Sequence, residues 1–70
     1  MNSETIRELL RRQPFEAFAM RLTNGDVHVI RHPEMVLIIG PRLVVGYPET
    51  ERIAIVSLIH IAAIEMPQNA

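Results

Sequence analysis

The sequence predicts a mainly β domain with an N-terminal α-helix, its strands closing into a small five-stranded β-barrel. Three observations carry that expectation: apolar residues at helical spacing near the start, a change to period two from Ala17, and a succession of short β-branched runs separated by turn residues. Closure suits such a chain because it hides strand edges.

The helix is expected over residues 3–12. Ser3 can cap it and Glu4 suits its positive end; Ile6, Leu9 and Leu10 share one face, and Arg11 and Arg12 suit the negative end. Pro14 stops it. A helix this short is not stable alone, so its apolar stripe must pack on the strands beyond it, and its expected role is a lid over the barrel opening.

The barrel is expected over residues 16–66, with residues 1–70 forming one domain. Phe18, Met20 and Leu22 alternate with Ala17, Ala19, Arg21 and Thr23, as in a strand with one buried face. Asn24-Gly25 tolerates positive φ and predicts a hairpin, after which Val27 and Val29 are expected to resume the inward positions. His32-Pro33-Glu34 reads as a turn, since proline presets φ and cannot donate to a sheet ladder. "MVLII", "RLVVGY" and "RIAIVSL" are apolar at consecutive positions, as expected of strands covered on both faces by the barrel wall, the helix or a neighbouring subunit. "HIAAIEM" supplies a short last strand.

Composition bears on assembly. A chain of 70 residues buries only about 60% of the surface it exposes when unfolded, and one core of that size rarely supplies more than about 3–5 kcal/mol. The chain has no cysteine, which excludes disulfides and thiolate zinc sites. Its residues are 49% hydrophobic, more than so small an interior accommodates, so a homo-oligomer joined through strand edges is expected. The net charge is −1 and the seven basic residues are scattered, without the footprint of a strong nucleic-acid binder. "MNSETIRELLRR" does not resemble a secretory signal, and the apolar run Ile53–Ile64, interrupted by Ser57 and His60, falls short of the roughly 18 residues that span a bilayer. A cytoplasmic protein without membrane contact is the expectation.

Candidate sites are few. On a helix His28 and His32 would lie one turn apart and suit one metal ion, but the β-branched neighbours and Pro33 favour a strand, which separates them by about 13 Å. No metal or cofactor is expected there. His60, in an apolar run, is expected to be a buried or interfacial neutral imidazole bonded to a backbone carbonyl. Ser3 and Ser57 lie in no nucleophile turn, Gly25, Gly40 and Gly46 form no phosphate loop, and no carboxylates pair across a cleft, so the chain is not expected to be an enzyme. The residues available for nucleic-acid contact are Arg31, His32 and Arg42 near predicted turns, with Tyr47 for stacking.

Two resemblances attach to these motifs. "RRQPFEAFAMRLTNGDVHVIRHPE", Arg11 to Glu34, resembles a group of short uncharacterised bacterial proteins sharing a helix, a proline-phenylalanine hinge, a hairpin and a "HPE"-like turn. More distantly, "RLTNGDVHV" is similar to the strand-turn-strand opening of Sm-like proteins, among them the bacterial RNA chaperone Hfq, and "SLIHIAAIEM" to their last strand pair. That resemblance implies an Sm-like or SH3-like barrel that forms rings through strand-edge pairing. The expected function is an oligomeric binding or assembly module, the alternative a ring that binds single-stranded RNA weakly.

Overall fold

Asn2 starts the helix, one residue ahead of the cap expected at Ser3. In the computed structural model, which describes residues 1–66, its Oδ1 accepts from the Thr5 amide at 2.9 Å and the Thr5 hydroxyl at 3.0 Å. Helix α1 then runs Ser3–Arg11, with Glu4 in its first turn bonded to Arg11 in its last at 2.9 Å. That pair is solvent-exposed and adds little stability; what holds the helix is its apolar face, where Ile6 and Leu9 are buried against the core.

Six strands follow: β1 Phe18–Leu22, β2 Val27–Ile30, β3 Val36–Ile39, β4 Arg42–Tyr47, β5 Arg52–Ser57 and β6 Ile61–Glu65. They form two separate three-stranded antiparallel sheets, ordered β2-β1-β6 and β3-β4-β5. Two short 3₁₀ turns, Pro33–Met35 and Leu58–His60, carry the chain from one sheet to the other. The first is the turn expected at His32-Pro33-Glu34, closed by the Met35 amide donating to the His32 carbonyl at 3.1 Å.

The expected five-stranded Sm-like or SH3-like barrel is therefore corrected: the sheets are not closed. β2 and β6 edge one sheet and β3 and β5 the other, and no strand pairing among the described residues joins those edges; the chain leaves β2 for β3 through the 3₁₀ turn at Pro33–Met35 and β5 for β6 through the one at Leu58–His60. Pro33 offers no N–H at the first of these turns to continue a ladder. The helix consequently covers no barrel mouth. It packs on a core that both sheets share, Phe18, Met20, Ile30 and Ile61 from one and Val36, Leu43, Val45 and Val56 from the other.

The first hairpin also departs from expectation, by one residue. Asn24 and Gly25 do turn the chain, but the Leu22 amide donates to the Asp26 carbonyl at 2.8 Å, leaving a three-residue loop, Thr23 to Gly25, instead of a two-residue one. The Asn24 side chain selects this loop: its Oδ1 accepts from the Asp26 amide at 2.9 Å, and Gly25 supplies the required φ of 93°. A one-residue change of register reverses every side chain on the return strand. His28 and Ile30 therefore lie opposite Met20 and Phe18 on the core side, while Val27 and Val29, expected inward, lie opposite Arg21 and Ala19.

In the second sheet, Val36, Ile38, Leu43, Val45, Ala54 and Val56 form the inner register. The alternate residues Leu37, Ile39, Val44, Ile53 and Ile55 form the outer one, where Val44 is half-buried between its neighbours and no other described residue covers the remaining four. The consecutive apolar pattern thus marks a sheet with one buried and one bare apolar face. Among the described residues no helix is long and apolar enough to cross a membrane.

Candidate functional site

Two surfaces stand out. The first is a cleft of about 300 Å³ between the outer edge of β2 and the end of β4, lined by Val27, Val29, Arg31, His32, Met35 and the segment Tyr47–Thr50. The register of the first hairpin builds it, by turning Val27 and Val29 away from the core. Met35 and Tyr47 form its more buried part, while Arg31, His32, Glu49 and Thr50 are exposed at its rim.

Tyr47 is held in place by its neighbour across the core. Its hydroxyl is hydrogen-bonded to Nδ1 of His28, and the two rings lie with centroids 5.8 Å apart. Partial burial pushes the phenol above its ordinary pKa, so it stays protonated at neutral pH. His28 enters this pair through the inward position the hairpin gives it, which the expected register had assigned to Val27 and Val29.

Of the four residues named from sequence for nucleic-acid contact, the fold brings Arg31, His32 and Tyr47 into one cleft and leaves Arg42 out. Arg42 opens β4 while Tyr47 closes it, about 17 Å of strand away. The sequence reading missed Val27, Val29, Met35, Pro48, Glu49 and Thr50. The signal that could have found the valines is Asn24 followed two residues later by Asp26, the pattern of an Asx turn that competes with a two-residue hairpin. Of the two alternatives for His60, burial within the chain is corrected: its imidazole is exposed, with Nδ1 3.5 Å from the Thr23 hydroxyl, while its carbonyl accepts from the Thr23 amide at 2.8 Å.

The second surface is the outer face of the β3-β4-β5 sheet. Leu37 and Ile39 on β3 are 59% and 57% exposed, and Ile53 and Ile55 on β5 are 72% and 70% exposed. Cross-strand register places Leu37, Val44 and Ile55 in one row and Ile53 beside Gly46. Arg42 and Ser57, paired at one end, are the polar members of this register. Beyond that end the face offers apolar contact alone. Comparison with known proteins finds no matching family model, no matching curated protein and no matching solved structure.

Proposed function

We propose that this chain is an assembly module whose outer β3-β4-β5 face packs against a second copy of itself. The observation that supports it is the outward row Leu37, Ile39, Val44, Ile53 and Ile55, bare on a chain too short to have a large core. The four most exposed of these side chains leave on the order of 400 Å² of apolar surface, within the size range of patches that are often functional on monomers. Covering it yields about 10 kcal/mol gross per copy, against roughly 4–15 kcal/mol for the association of the pair. A standard interface buries about 800 Å² per partner, so the free edges of β3 and β5 flanking the face would supply the remainder.

A second copy is favoured over a charged partner because the face holds a single charged residue, Arg42, at its corner. The test is light scattering after size exclusion, from low micromolar to submillimolar protein. The expected result is a mass at least twice that of the 8.0 kDa chain, falling on dilution. A folded 8.0 kDa species across the whole range overturns the proposal. Weak RNA binding has less in its favour: Arg42 stands apart from the cleft, and the Tyr47 hydroxyl is already bonded to His28. It requires single-stranded RNA binding that weakens as salt rises.

A further inference from the structure

The long wall of the cleft is an open strand edge. Because Leu22 and Asp26 form a hydrogen-bonded pair, the alternation of an antiparallel ladder makes Met20–His28 and Phe18–Ile30 the other hydrogen-bonded pairs. Val27 and Val29 occupy the intervening pairs, so their N–H and C=O groups point away from β1 and toward the cleft that they line. Among the described residues β2 has no strand on that side. The opposite wall, Tyr47–Thr50, is a turn that includes Pro48, and no turn or loop hydrogen bond among the described residues engages Val27 or Val29.

Beside this edge lie an apolar floor and a cation without a partner. Met35, Tyr47 and Pro48 offer apolar surface, with Tyr47 fixed by its bond to His28. Arg7, Arg11, Arg12 and Arg21 each meet a carboxylate, whereas Arg31 makes no ion pair among the described residues and has His32 next to it at the rim.

We propose that the cleft binds a short extended peptide by strand addition to β2, with a carboxylate side chain of the peptide at Arg31. Each element of the cleft meets one feature of such a ligand. The Val27 and Val29 backbone groups pair with its main chain, alternate apolar side chains rest on Met35 and Tyr47, and the carboxylate supplies a charge-assisted bond to the guanidinium. Phosphate would also suit Arg31, but a nucleic-acid strand leaves the backbone edge unpaired, and Glu49 at the same rim repels a polyanion. The cleft adjoins β2 of the other sheet, so this binding does not depend on the assembly face.

The probe is a fluorescently labelled, end-capped pentapeptide, Thr-Val-Asp-Val-Thr, titrated with the full chain and followed by anisotropy. Saturable binding is expected, weakened about tenfold when the central backbone amides of the peptide are N-methylated, since this removes edge hydrogen bonds and keeps the side chains. Replacing the peptide's aspartate by asparagine is expected to weaken binding about fivefold in the native chain and not in Arg31→Gln. Val29→Pro, which an edge strand can accommodate, is expected to abolish binding with the circular dichroism spectrum unchanged. Equal binding of the N-methylated and parent peptides overturns the proposal, and so does the absence of peptide binding. Oligouridine that binds at low salt and displaces the peptide reassigns the cleft to nucleic acid and overturns it as well.

Discussion

Ile55→Thr separates the role of the bare sheet face from its role in the fold. Threonine keeps the β-branch and the strand preference of isoleucine, so β5 should form as before. Ile55 is 70% exposed in the single chain, and a substitution at so open a position should alter the stability of the monomer by no more than about 0.5 kcal/mol. In an assembled pair the remaining side-chain surface becomes buried. Full burial of an isoleucine is worth about 1.5–3 kcal/mol, so the 70% still available corresponds to about 1–2 kcal/mol per copy and about 2–4 kcal/mol in a symmetric pair. Dissociation should therefore become easier by about 30- to 700-fold. Sedimentation equilibrium over a dilution series measures that shift, and urea unfolding of dilute protein measures the monomer. Unchanged association in a folded variant would refute the assignment of this face, whereas a monomer weakened by more than about 2 kcal/mol would show that Ile55 already packs within its own chain.

Three further outcomes are expected. Leu43, fully buried between the sheets, should lose about 2–5 kcal/mol on change to alanine, comparable to the total stability of so small a core, so urea titration should show a largely unfolded chain. Gly25→Ala places a side chain at φ 93° with no atom in its way, so the cost is conformational, about 1 kcal/mol in the denaturation midpoint, and a steric relief mutation elsewhere should not restore it. Tyr47→Phe removes the bond to His28 and should cost about 0.5–1.5 kcal/mol at neutral pH. The phenol's pKa is raised in the folded state, so the native chain holds the proton more tightly above the ordinary tyrosine value of 10.0, and stability falls as pH rises from there through the folded value. The phenylalanine variant should lack that alkaline loss; urea titrations on either side of pH 10 measure it, and an identical decline in both proteins would refute the attribution.

The helix, the strand lengths and the bend at His32-Pro33 were legible because each depends on neighbours along the chain. Ile6 and Leu9 recur at helical spacing, Phe18 and Met20 at strand spacing, and Pro33 restricts its own backbone whatever surrounds it. The candidate cleft was legible only in part. Arg31, His32 and Tyr47 were visible as polar or aromatic residues near turns, but Val27 and Val29 were assigned to the core because Asn24-Gly25 suggests a two-residue loop.

By itself, then, the sequence determined the N-terminal helix, the first hairpin and the bend at Pro33, and that the chain carries more apolar surface than its size can bury, whereas the turn at Leu58–His60 reads in sequence as strand. The tertiary structure decided the phase of β2, the absence of closure and the bare outer face of β3-β4-β5. The physical reason is that these depend on register and on contact between distant segments. One residue in a loop reverses which side of a strand meets the core, and closure requires an edge strand of one sheet, β2 or β6, to pair with an edge strand of the other, β3 or β5. No local pattern of apolar residues encodes either.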